Sequence, residues 1–294
     1  MDVETVGVDK RKSTPWAMIA LWCVLAVALL GSTLFTVPMM LLSGTGFLIG
    51  IVFVAAYITA VTALFRLTPM WPRAPKAWYF SSLLWGGALA LGAALLVGGS
   101  VTSLVAKLGL HDAGASFGGA YPEEIAKATG VAVILFAFPA LNRPWHGFVT
   151  GGLVGLGFEA VENVLYGVMG GMLDPNSDVV GTLQMWGLRL VVGPGLHAVF
   201  TSIAGLGIGL AFFRSGWGLR KRIGVGLGFL FIAFAAHFAW NYSWGGTIWP
   251  IVWLVLVALV IYPGFAYAWW RCRKEAREDA IRGRGAPITS VELL

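Results

Sequence analysis

Four glutamates, two histidines and a lysine stand inside stretches of this chain that are otherwise apolar. Glu123-Glu124-Ile125-Ala126-Lys127 sets two carboxylates one helical turn ahead of an ammonium, close enough to pair on a helix. Phe158-Glu159-Ala160-Val161-Glu162-Asn163 sets Glu159, Glu162 and Asn163 on one helical face. His197 follows in another apolar run, ahead of Gly205, Gly207 and Gly209, which allow close helix approach. His237 and Asn241 lie one turn apart in the next. Brought together, such groups could activate water: a buried carboxylate serves as base and then acid, while imidazole and amide groups donate to a developing oxyanion. Alternatively His197, His237 and Glu159 could hold a metal, and zinc suits two imidazoles and a carboxylate with one position open. Spacing across separate segments leaves both mechanisms open.

Each group also has a plainer reading. Glu123 and Glu124, just after Pro122, fit a solvated helix start neutralised by Lys127. A single membrane histidine often serves packing alone. Arg189 reads as a structural counter-ion to a glutamate. As a set, the same groups could form a proton- or ion-coupled transporter path, or belong to a non-catalytic membrane scaffold. Against transport, the halves show no duplication and no matching interrupted helices. Other chemistries lack their residues. Every Asp falls in a tail or loop, so no intramembrane aspartyl pair exists, and there is no HExxH, Walker or dinucleotide motif. Gly114-Ala115-Ser116-Phe117-Gly118 matches G-x-S-x-G but reads as a loop, without the strand–turn–helix context that motif needs.

The elements that must carry these residues follow from composition. The chain has 294 residues, 58% hydrophobic and only 12% charged, with a mean hydropathy of +0.80. Soluble domains carry about 25% charged residues, so this is an all-α polytopic membrane protein. At about 20 residues per span, roughly eight spans fit, near 15–39, 45–64, 77–105, 122–141, 147–172, 182–213, 223–243 and 247–270. They form one bundle domain over 1–294, with cytoplasmic tails at 1–14 and 271–294. The net charge of +6 does not point to nucleic acid. All of the 20 lysines and arginines except Lys107, Lys127 and Arg189 fall in the two tails, the 66–76 connection, the turn at Arg143 or the 214–222 loop. That asymmetry orients the chain in the cell membrane with both ends on the cytoplasmic side. Trp71, Trp78, Trp244 and Trp249 read as interface anchors. Cys23 and Cys272 offer no disulfide framework or metal pair.

The four polar blocks, in order over residues 123–241, resemble the PrsW family of intramembrane proteases, whose pattern is EExxK, FExxEN, a His on the next span, and HxxxN or HxxxD. The resemblance implies peptide hydrolysis in or next to a membrane-embedded substrate. It assigns catalytic roles to Glu123, Glu124, Glu159, Glu162, His197 and His237, with Lys127, Asn163 and Asn241 in support. It further implies a membrane-protein substrate, such as a single-pass protein of the anti-sigma-factor kind. Whether the family chemistry is glutamic or metal-dependent stays open at this level.

Overall fold

The computed structural model describes residues 15–281. The expected tail at 1–14 and the end of the other, 282–294, lie outside the described residues. Those described form helices and connections with no strand. The helices are α1 (Pro15–Leu42), α2 (Gly44–Arg66), α3 (Lys76–Leu84), α4 (Leu91–Lys107), α5 (Gly114–Ala137), α6 (Pro144–Leu173), α7 (Asp178–Val192), α8 (Leu196–Phe213), α9 (Leu219–Asn241) and α10 (Trp249–Ile281). A π turn, Trp85–Ala90, joins α3 to α4. Among the described residues seven helical stretches are long and apolar enough to cross a membrane; α3–α4 and α7–α8 each count as one stretch, and α5 is not among the seven.

The layering follows from which helices can afford polar or small residues. α6 is buried along most of its length and forms the centre. α8 lies against it at backbone distance: a Cβ added at Gly205 would stand 2.2 Å from the Gly147 carbonyl, and one at Gly151 2.1 Å from that of Thr201. Small residues drive such contacts because lipid and side chains are equally apolar, leaving close packing as the main attraction. α1, α2, α9 and α10 bury few of their residues inside the bundle, as lipid-facing helices do.

Several expectations need correction. The G-x-S-x-G segment is not a loop: it is the first turn of α5, with Gly114, Ser116 and Gly118 buried and Ser116 Oγ donating to the Phe238 carbonyl at 2.8 Å. Its small residues serve contact with α4 and α9. Pro122 therefore lies inside α5 rather than at its start, as membrane helices tolerate. The span expected at 182–213 does form one long apolar stretch, Asp178–Phe213, but its helix is interrupted at Gly193-Pro194-Gly195 into α7 and α8. Trp78 is 1% exposed and donates to Thr150 Oγ1 at 2.9 Å, so it is a core residue and not an interface anchor. The first part of the expected tail, from Arg271, is helical and extends α10 to Ile281.

Candidate active site

Four helices deliver the site. α5 carries Glu123, Glu124 and Lys127, α6 carries Glu159, Glu162 and Asn163, α8 begins one residue before His197, and α9 ends on His237 and Asn241. Trp85 helps seat α5. On the π turn its indole reaches across, donates to the Ala126 carbonyl at 3.0 Å and packs over Gly130.

Lys127 is at the centre, with 0% of its surface exposed. Its Nζ lies 2.6 Å from Glu124 Oε1, 3.4 Å from Glu123 Oε2 and 3.0 Å from His197 Nδ1. The Phe158 ring closes the remaining side, 4.5 Å from Nζ. A buried cation is stable only when paired, and this one is paired twice. Glu123 and Glu124 are accordingly buried, not a solvated helix start.

The two imidazoles have tautomers set by their partners. His197 Nε2 is 3.0 Å from Glu162 Oε2 and His237 Nδ1 is 2.9 Å from Glu124 Oε1. Ionised carboxylates only accept, so these two nitrogens carry the protons. The lone pairs are then on His197 Nδ1 and His237 Nε2, which receive Lys127 Nζ and Asn241 Nδ2, the latter at 3.1 Å. Those same two atoms are 3.6 Å and 3.9 Å from Glu123 Oε2. The rings meet edge to face at 5.1 Å, and Phe200 stacks on His237.

Glu162 has a second partner, Arg189 Nη2, while Arg189 Nε donates to Asn163 Oδ1 at 2.7 Å and its guanidinium covers the Tyr166 ring. Arg189 is thus the counter-ion that the sequence suggested. Glu159 points elsewhere. Its Oε1 accepts from Tyr57 Oη at 2.7 Å and from the Gly195 N–H at 3.0 Å, and its Oε2 accepts from the His197 N–H at 3.1 Å. It closes the open N-terminus of α8, where unpaired N–H groups favour a negative charge. Gly195 makes this possible with φ +72, a backbone state cheap only for glycine.

Glu123, Glu124, His197 and His237 offer one ligand atom each within 4.8 Å of one another. Glu159 is not in that group. Tyr57, Gly119, Gly195 and Phe200 were not singled out from the sequence. Only Gly195, in a Gly-Pro-Gly run, carried a local signal, that of a break.

The family model described as PrsW family intramembrane metalloprotease matches residues 74–268. The chain belongs to that family. PrsW proteins are intramembrane peptidases, and the seven long apolar helices agree with a multi-pass membrane protein. The matched range holds every residue of the PrsW-type blocks and all four members of the cluster, but not Tyr57, which reaches the site from α2. No curated protein and no solved structure matches the chain.

A metal, which the family name implies, is compatible with these donors. His197 Nδ1, His237 Nε2 and a carboxylate oxygen converge; an ion there would take the places of Lys127 Nζ and Asn241 Nδ2 on the two ring lone pairs, while each ring keeps donating its other N–H to a carboxylate, the usual outer support of a histidine ligand. Buried Glu124 Oε2 has no hydrogen-bond partner among the described residues, so the cluster retains an unused acceptor beside those three atoms.

Proposed function

We propose that this protein hydrolyses a peptide bond of a membrane-embedded substrate at the Glu123–Glu124–His197–His237 cluster. The observation that carries the reading is the convergence of those four ligand atoms, from three helices, within 4.8 Å. His197 Nδ1, His237 Nε2 and Glu123 Oε2 would hold the ion, zinc by the donor set. When bound, it supplies Lewis acidity to the attacking water and the scissile carbonyl.

The chain's own groups do the rest. Glu124 Oε2, buried and without a hydrogen-bond partner among the described residues, takes the proton from the attacking water and later passes it to the leaving amine. Lys127 Nζ, with donors aimed into the cluster, stabilises negative charge as the carbonyl is attacked, and Asn241 Nδ2 adds a neutral donor. Glu162, backed by Arg189, keeps the His197 tautomer. Glu159 and Asn163 act as positioning residues. A glutamate-only route would use the same Glu124 with Lys127 and both imidazoles as donors.

Eight crossings with both ends inside fit this reading. α5 would be the eighth: at 24 residues it is about 36 Å long, and its charged side chains are buried in the bundle. The substrate is then a single-pass membrane protein, with the anti-sigma-factor kind as the family's example.

Metal analysis of the purified chain tests the mechanism. About one equivalent of zinc in the wild type, lost in His197→Ala and His237→Ala, supports the metal route. Full proteolysis by metal-free protein would leave the glutamate-only route. Ion flux in proteoliposomes with no proteolysis would favour the transporter.

A further inference from the structure

At the other end of α6, about 24 Å along the helix from Glu162 to His146, lies a cavity of about 740 Å³. The proline-rich connection after α2 supplies Trp71 and Arg73, the turn into α6 supplies Arg143, Trp145 and His146, and α10 supplies Asp279. This is the end where the basic connections gather.

The donors there are only partly used. Arg143 Nε pairs with Asp279 Oδ2 at 3.0 Å and its Nη1 reaches the Asn142 carbonyl and Oδ1. Its Nη2 has no partner among the described residues. Arg73 is exposed, and no ion pair or hydrogen bond engages its guanidinium among the described residues. His146 is 92% buried by its 8% exposure. Its Nδ1 accepts from the Asn142 N–H at 3.1 Å, so its proton is on Nε2, and that N–H has no partner among the described residues. Two guanidiniums against one carboxylate leave the cavity a net positive charge. The N-terminus of α6, starting at Pro144, adds its dipole in the same sense.

We propose that this cavity binds a phosphate-bearing anion, held by Arg73, Arg143 Nη2 and His146 Nε2–H. Guanidinium forks match phosphate oxygens. The volume far exceeds a lone carboxylate. The flanking, half-buried Trp71 suits a site at headgroup level, where basic residues attract anionic lipid. A lipid headgroup and a soluble phosphate compound share this chemistry.

The test uses the purified full chain in a neutral sugar detergent. Native mass spectrometry scores retention of phosphatidylglycerol against phosphatidylcholine, and calorimetry scores inorganic phosphate. Preferential retention of phosphatidylglycerol assigns a lipid headgroup, and phosphate binding without lipid preference assigns a soluble ligand; either supports the site. Arg73→Gln, which removes no hydrogen bond or ion pair among the described residues, should weaken the binding seen by about ten-fold. Arg143→Gln should also weaken it but can disturb folding through Asp279, so Arg73 is the deciding variant. Binding of neither probe, or equal binding by wild type and Arg73→Gln, overturns the proposal.

Discussion

Glu159→Gln separates a structural from a chemical role for the glutamate that sequence most naturally casts as catalytic. Glu159 is 3% exposed, and its carboxylate accepts three hydrogen bonds, from Tyr57, Gly195 and His197. Glutamine keeps the shape but turns an acceptor into an NH₂ group that must face an N–H or O–H. Bonds to charged groups are worth about 1.5–3 kcal/mol each, and an unpaired buried donor costs about 1–3 kcal/mol. Losing one such bond and stranding one donor gives a destabilisation of about 3 kcal/mol. For a chain this size that lowers Tm by about 6–12 °C. The assay is thermal unfolding of the purified protein in detergent, followed by tryptophan fluorescence, beside proteolysis at a temperature where the variant is folded. Tyr57→Phe, which removes one of the three bonds, should lower Tm by less and retain activity. An unchanged Tm in Glu159→Gln with abolished cleavage would refute the cap and return Glu159 to the chemistry.

Other perturbations test the neighbouring contacts. Gly119→Ala would set a Cβ 2.8 Å from Asn241 Nδ2 and 3.4 Å from Glu123 Oε1; cleavage should fall at least ten-fold with Tm nearly unchanged, and wild-type kinetics would show that Asn241 is not needed where it stands. Arg189→Gln removes the partner of Glu162; it should weaken zinc retention measured by competition with a chelator, and unchanged retention would remove Arg189 from the His197 support. Reporters fused after Asp178 and after Lys221 should give extracytoplasmic and cytoplasmic signals respectively, and the reverse at either site would overturn the orientation.

Much of the site was legible because each block is local. Glu123, Glu124 and Lys127 pair within one turn, as do His237 and Asn241, and helical spacing alone reveals that. Membrane depth then made their convergence the economical outcome, since a polar group left in lipid is costly. What was not legible depends on distant partners. Glu159 and Glu162 share a helical face in sequence, yet one caps α8 and the other holds His197. The difference arises from Tyr57, 102 residues away, and from the break at Gly195. The start of α5 was misread because glycine and serine mark loops in water but close helix contacts in a bundle. Trp78 was misread because a tryptophan's preference for the interface says nothing of a buried acceptor such as Thr150.

The central claim is that the cluster around Glu124 cleaves peptide bonds, and the most direct measurement is a comparison of new protein N-termini in membranes expressing wild type or Glu124→Gln. Mass spectrometry after N-terminal labelling should find termini within or beside the spanning segments of single-pass proteins in the wild-type membranes. Those termini should be absent with Glu124→Gln, provided that variant is inserted at equal abundance. Identical termini in both membranes would contradict the assignment.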